Sequence, residues 1–263
     1  MNNTLNKQIG LLTVTCKQDF ELIVGLLETV NQYIGNEFDH TIILNDSVDH
    51  MPELLSVCDQ YPRPNRTIIH CDDVGDFKNH KQRFSDETDA RYGYHKDVED
   101  MSGWMTQQIL SFCFSQICTT EFFIIIHSRR RILVRWDLNW IVRNNKSPVE
   151  LHTDDILAQM IPGGPAELFL EFFKTAYSKF GLDHTKETKL ITCAPPMIWR
   201  TRYVLDLLAY IDKQGCTIFN YINPYLILPT CNEAYLYGAW LRFKNLTDTT
   251  YVTNFNNIMY EVR

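Results

Sequence analysis

Two periodicities divide this chain. At 11–16, LLTVTC is a short apolar run rich in β-branched residues, the pattern of a buried strand. Over 18–34, QDFELIVGLLETVNQYI repeats apolar residues at helical spacing through Phe20, Ile23, Leu26, Leu27, Val30 and Ile34, and Gly35 follows where helices commonly stop. HTIILND (40–46) and RTIIHCDD (66–73) read as a second and a third strand, each ending on polar residues. From Gly75 to Asp100 the chain turns polar and charged, and this stretch reads as a long loop of the mobile or functional kind. GWMTQQILSFCFSQI (103–117) returns to a buried helix. EFFIII (121–126) is the most apolar run and is expected to be the central strand, ending abruptly on His127-Ser128-Arg129-Arg130-Arg131.

The second half is more helical. PAELFLEFFKTAYSKFG (165–181) carries a proline where a helix can begin and a glycine where it can end, with Leu168, Phe169, Phe172, Phe173, Ala176 and Phe180 on one face. KLITC (189–193) reads as a strand, and RTRYVLDLLAYIDKQG (200–215) and EAYLYGAWLRF (233–243) as amphipathic helices. No internal repeat or linker interrupts the sequence. The order predicts one α/β domain over 1–263, a mostly parallel central sheet flanked by helices.

Composition narrows the classes. The 263 residues are 45% hydrophobic and 13% aromatic, far from the make-up of a disordered segment. No apolar run reaches the ~20 residues that cross a bilayer. The start, MNNTLNKQ, lacks a cationic stretch followed by an apolar core, so no signal peptide is expected. The net charge of −7 argues against a nucleic-acid partner. Eight cysteines show neither C-x-x-C nor zinc-finger spacing, and several sit in apolar runs. They read as free buried thiols of a cytoplasmic protein.

Chemistry collects at the ends of the predicted strands: Thr15 and Lys17 after the first, Asn45 and Asp46 after the second, Asp72 and Asp73 after the third, and His127, Ser128 and Arg129 after EFFIII. In open α/β sheets ligands bind in the crevice at the carboxyl ends of strands. No G-x-G-x-x-G or G-x-x-x-x-G-K-[ST] follows the first strand, and neither H-E-x-x-H nor G-x-S-x-G occurs.

On these segments the sequence resembles GT-A-type glycosyltransferases, the Rossmann-like, nucleotide-sugar-dependent class. It is similar more narrowly to a bacterial and viral group of glycosyltransferase-like proteins. The likeness is carried by TVTCKQDFELIVGLLETV (13–30), HTIILND, GWMTQQIL with EFFIIIHSRRRI (121–132), APPMIWRTRYVLDLL (194–208) and NEAYLYGAWL (232–241). Its specific parts are the Gly-aromatic-x-x-Gln-Gln helix before an apolar strand and the late Asn-Glu-x-x-x-Tyr-Gly. The resemblance implies sugar transfer to a glycan or other hydroxyl acceptor, as in polysaccharide biosynthesis, with residues 1–135 holding the nucleotide-sugar donor and 136–263 the acceptor. It puts the nucleoside at Thr15, Lys17 and Asp46, with Asp73 a further candidate, and turns Gln107 and Gln108 toward the donor sugar.

The chain departs from that class where GT-A enzymes carry Asp-x-Asp, whose carboxylates hold Mn2+ or Mg2+ against the donor diphosphate. His127 and Arg129 stand at those two positions, and arginine cannot ligate a metal. No metal ligands are therefore assigned. Arg129 and Arg130 could supply the positive charge a leaving diphosphate needs; the alternative is a surface basic run. Glu233 is the candidate base that takes the acceptor's proton, unless it merely suits the first turn of its helix. Tyr237, one turn on, and His152 are candidate acceptor contacts. Asp154 and Asp155 are reserve carboxylates, and Trp104 is a sugar-stacking face or a core residue. A GT-A-like domain that has lost turnover and only binds a nucleotide, glycan or protein is the competing class.

Overall fold

The computed structural model describes residues 9–92, 103–136, 142, 147–148, 151–152, 166–186, 190–191, 197–222, 231–247, 251–252 and 260–262. The first three apolar runs form β1 (Ile9–Thr15), β2 (Phe38–Leu44) and β3 (Arg66–His70), and EFFIII forms β4 (Phe122–Ile125). β5 (Arg130–Ile132) follows at once. Short strands come next: β6 (Ser147–Pro148), β7 (Leu151–His152), β8 (Leu190–Ile191), β9 (Met197–Arg200), β10 (Tyr251–Val252) and β11 (Tyr260–Val262). The helices are α1 (Phe20–Tyr33), α2 (Met51–Asp59), α3 (Phe77–Tyr92), α4 (Gly103–Cys113), α5 (Ala166–Ser178), α6 (Thr201–Lys213), α7 (Ile218–Ile222) and α8 (Glu233–Phe243).

The main sheet runs β3-β2-β1-β4-β9. Every pairing is parallel except β4 with β9. The expected neighbours are together, Thr15 lying opposite Leu44 and Leu12 opposite Ile125. The central strand is β1, not the EFFIII strand. β4 is buried on both faces because Phe122 and Ile124 enter one core and Phe123 and Ile125 the other, which is what its uninterrupted apolar run reports; β9 closes its outer edge.

Successive side chains point to opposite faces, so β1, β2 and β4 feed two cores. Leu11, Ile42 and Ile124 pack with Ile23, Leu26, Leu27 and Val30 of α1 and Leu54 of α2. Leu12, Ile43, Phe123 and Ile125 pack on the other side with α4, α6 and α8. The chain winds from β1 through β2 to β3 along one direction and then returns to place β4 on the far side of β1. The strand order therefore reverses between β1 and β4, where such sheets leave a crevice at their carboxyl edge.

Three elements depart from the sequence expectation. α2 stands between the second and third strands, with Leu54 and Cys58 as its buried positions and a proline in its first turn. Much of the polar stretch expected as a loop is α3. Its few apolar residues suffice because Phe77 and Phe84, seven apart, share one face and meet Phe219 at ring-centroid distances of 5.6 and 5.4 Å. β9 comes from a tryptophan-containing run that closes the sheet antiparallel. Beyond the sheet, β5 lies across α1 at Gly25, where a Cβ would collide with the Arg131 guanidinium, and the Ile132 amide donates to Thr29 Oγ1 at 3.1 Å. The cysteines among the described residues are free, and Cys58, Cys71, Cys113 and Cys231 are buried. No helix among the described residues is long and apolar enough to cross a membrane.

Candidate functional site

Parallel pairing brings the polar ends of β1, β2 and β4 to one edge of the sheet. Asp46, just past β2, accepts from the backbone amides of Lys17 at 2.8 Å and Ser47 at 2.7 Å, and its Oδ1 lies 3.2 Å from His50 Nδ1. Burial alone would raise its pKa, but those amides and His50 outweigh it and hold the carboxyl below its ordinary value. The Lys17 ammonium pairs with Glu53 of α2. Thr15 is buried, and its hydroxyl has no hydrogen-bond partner among the described residues. Asn45 ties the end of β2 to the start of α4, donating to Gly103 O at 3.2 Å and Thr106 Oγ1 at 2.7 Å. Asp73 is exposed on the turn after β3.

Across the strand-order reversal stands a residue that the sequence reading passed over. Asp19, in the turn between β1 and α1, is almost fully buried. Its Oδ2 accepts from Ser128 Oγ at 2.6 Å, and its Oδ1 from Arg129 Nε at 3.0 Å, with Arg129 Nη2 at 2.9 Å. The loop after β4 is thus latched to the loop after β1, and the guanidinium of Arg129 is held by one edge while most of its side chain faces solvent. In sequence Asp19 looks like any acid before a helix; only the reversal point brings Ser128 and Arg129 to it. Burial, with Arg130 next in importance, pushes His127 down to about 4, so its imidazole is neutral at pH 7.

On the other face α4 runs away from the carboxyl edge, its first turn gripped by Asn45. In its second turn Gln107 is partly exposed, whereas Gln108 is 1% exposed and its Oε1 accepts from the Glu233 amide at 3.0 Å. That bond fixes the start of α8, which Asn232 caps by accepting from the Ala234 amide at 2.9 Å. One turn on, the Tyr237 hydroxyl accepts from the amide of Arg200, which pairs with Phe122 at the amino end of β4. α8 therefore points its N-terminus toward the carboxyl edge. Glu233 is 5% exposed, its Oε2 has no partner among the described residues, and burial raises it to about 7. Tyr237 is fully buried and stacks on Trp199 at 5.0 Å, a core position with no surface to offer an acceptor. His152 lies on β7, but its side chain is outside the described residues, as are Asp154, Asp155 and the side chain of Trp104.

A divalent cation fits poorly among these groups. Of the two Asp-x-Asp positions, Arg129 and the intervening Ser128 are spent on Asp19, and the Asp19 carboxylate is spent on them. His70, Cys71 and Asp72 bring ligand atoms within 4.8 Å of one another. Yet His70 Nδ1 accepts from the Asp72 amide at 3.3 Å while Nε2 lies 2.8 Å from Asp46 O, so both ring nitrogens are engaged. Burial also pushes the Cys71 thiol up to about 11, away from the thiolate a metal needs.

These features define an open α/β protein whose polar strand ends meet at the reversal of strand order, the place where such sheets bind ligands. Within that class the chain belongs to a family of unknown function (DUF6492), whose profile matches residues 11–259. No curated protein matches it in sequence. Among solved structures it is similar to the Mn/GDP form of core-mannan synthase A (CmsA/Ktr4) from Aspergillus fumigatus. Identity is 9% and the TM-score 0.48, with 92% of this chain and 71% of that one covered. It is also similar to the apo bifunctional glycosyltransferase WbbM, at 9% identity and a TM-score of 0.44; the match takes in 92% of this chain but only 38% of WbbM.

Proposed function

We propose that this protein is a glycosyltransferase that moves a sugar, a hexose or a pentose, from a nucleotide-sugar donor to a hydroxyl of a glycan or similar acceptor, as in polysaccharide assembly. The observation that carries the reading is Glu233: a buried carboxylate with one oxygen unpartnered among the described residues, at the start of a helix aimed at the carboxyl edge of the sheet, and raised to about 7. A base poised near the working pH is what proton removal from an acceptor hydroxyl requires. Glu233 also lies in the Asn-Glu-x-x-x-Tyr-Gly segment that carries the sequence resemblance to glycosyltransferase-like proteins.

In this account Asp46, Lys17 and Thr15 flank the nucleoside, with Asp73 at the rim. Arg129, oriented by Asp19, meets the diphosphate with the edge of its guanidinium that Asp19 leaves open, with Arg130 beside it. His127 contributes a neutral imidazole and Gln107 an amide toward the sugar. The acceptor oxygen forms a bond to the anomeric carbon as the bond from that carbon to the diphosphate oxygen breaks. The electron pair leaves with the nucleoside diphosphate, and the hydroxyl proton passes to Glu233. Arginine takes over the electrostatic work that Mn2+ or Mg2+ performs beside Asp-x-Asp.

The test is release of free nucleotide from UDP-, GDP-, CMP- and dTDP-sugars, with Mn2+ and with chelator. A domain that only binds is the second reading, favoured by the Asp19–Arg129 pair, which already neutralises the cation meant for phosphate. It predicts stabilisation by a nucleotide sugar without release.

A further inference from the structure

Two buried polar atoms on neighbouring helices lack partners among the described residues, and they are complementary. Among the described residues Gln108 Nε2 is a donor with nothing to donate to, and Glu233 Oε2 is an acceptor with nothing to accept. Their residues are 1% and 5% exposed. They are joined already, because the other end of the Gln108 amide holds the Glu233 backbone amide at 3.0 Å. That bond also fixes which end of the glutamine is nitrogen, since only its oxygen can accept. Buried groups of this kind are costly when unmatched, so an adjacent unmatched donor and acceptor point to a ligand that supplies both complements.

A hydroxyl is such a ligand. It accepts one hydrogen bond through its oxygen and donates one through its proton. A carboxylate ligand would repel Glu233 in its ionised form, and an ammonium would waste the Gln108 donor. We propose that Gln108 and Glu233 form one hydroxyl-binding pair, in which Gln108 Nε2 donates to the acceptor oxygen while Glu233 Oε2 receives its proton. Gln108 is thereby a positioning residue on the acceptor side, where the sequence resemblance put it on the donor sugar. This rests on the glycosyl-transfer reading for the identity of the reaction, and on the two unmatched atoms alone for the binding of a hydroxyl. As the oxygen attacks the anomeric carbon it loses its proton to Glu233 and keeps the Gln108 hydrogen bond, so its lone pair stays aimed throughout. The ionisable side chain beside Glu233 is Cys231, whose thiol burial holds up at about 12, so it stays neutral while Glu233 titrates.

The experiment has two arms. In the first, protein labelled with 13C at glutamate carboxyls is titrated with glycerol and with methyl hexopyranosides, and the Glu233 signal is assigned by its loss in Glu233→Gln. The pair predicts that these probes move the Glu233 signal in the native protein and leave it unmoved in Gln108→Met. Gln108→Leu, an apolar side chain of similar volume with no donor, guards against a variant that fails to fold and should likewise lose the response. A native Glu233 signal indifferent to every hydroxyl probe overturns the pair whatever the enzyme does.

In the second arm, nucleotide release is followed with the same probes as acceptors. Gln108→Met is expected to lower kcat/KM for the acceptor about tenfold or more, with the donor KM unchanged and the alkaline-rising limb of the pH profile kept. A parallel loss of donor affinity would return Gln108 to the donor side and refute the assignment. Absence of release from every donor in the native protein, with the carboxyl response intact, would sink the transfer reading and leave the hydroxyl pair standing.

Discussion

Replacing Glu233 by glutamine tests the buried carboxylate without any substrate. The side chain keeps its size and hydrogen-bonding shape but no longer ionises. In the folded protein burial raises Glu233 from its ordinary 4.5 to about 7. Each pKa unit corresponds to about 1.36 kcal/mol, so the displacement amounts to about 3 kcal/mol. The direction follows from proton linkage. Between pH 4.5 and 7 the folded state binds the proton more tightly than the unfolded chain does, so this group's support is complete at low pH and is lost as pH rises through 7. His127 and His40, both lowered by burial, act in the opposite sense, losing support as pH falls below their unfolded value. They are present in both proteins and cancel in the comparison. The assay is urea unfolding of native protein and Glu233→Gln at pH 5, 6, 7 and 8. The variant's advantage should grow by about 2.5 kcal/mol across that range, the rest having accrued below pH 5, whatever constant offset the substitution introduces. A difference that stays flat with pH would show that Glu233 is not held above its ordinary value, and the argument for a poised base would fail.

Other consequences are open to direct measurement. Arg129→Ala should weaken binding of the nucleoside diphosphate about tenfold or more, since a hydrogen bond to a charged group is worth about 1.5–3 kcal/mol; isothermal titration would read it, and unchanged affinity would remove Arg129 from the phosphate site. Nucleotide binding should survive chelator, because no carboxylate stands at the Asp-x-Asp positions and that of nearby Asp19 is committed to Ser128 and Arg129; strict Mn2+ dependence would mean that other residues supply the ligands. Asp19→Ala leaves Ser128 Oγ and Arg129 without their acceptor and should cost about 1–3 kcal/mol in chemical unfolding, while a neutral result would deny the latch. Phe84→Ala removes a buried ring packed on Phe219 and should cost about 3–5 kcal/mol, with faster amide exchange in α3; a negligible loss would return that segment to the loop expected from its polarity.

How much was legible in the sequence depended on what carried the signal. β1, β2, β4 and α1 announced themselves because each buries a continuous run or a full helical stripe. α3 did not, since two phenylalanines seven residues apart hold it and the intervening turns are polar. The apolar run of β4 does not mark the central strand, because a run buried on both faces reports the two cores that cover it and not how many strands lie beside it, and only β9 lies on its outer side. The polar strand ends were visible, and the parallel register gathers those of β1, β2 and β4 at one edge. Asp19 was not visible as a partner of Ser128 and Arg129, because 109 and 110 residues separate them and only the reversal of strand order closes that gap. Glu233 was marked by its place at the start of a helix, but its burial and its bond to Gln108 depend on the packing of α8 against α4. Tyr237, spaced one turn from Glu233, looked equally available and is core, since its hydroxyl is engaged by the Arg200 amide.

The central claim is that a sugar leaves a nucleotide carrier here while Glu233 takes the acceptor's proton. Its most direct measurement is nucleotide release from the donor panel by native protein and by Glu233→Gln, in the presence of hydroxyl acceptors. The account predicts release by the native protein from at least one donor, and a fall of about 10²–10⁴-fold in the variant with donor binding nearly intact. Release at equal rates by the two proteins, or release by neither from any donor, would contradict it.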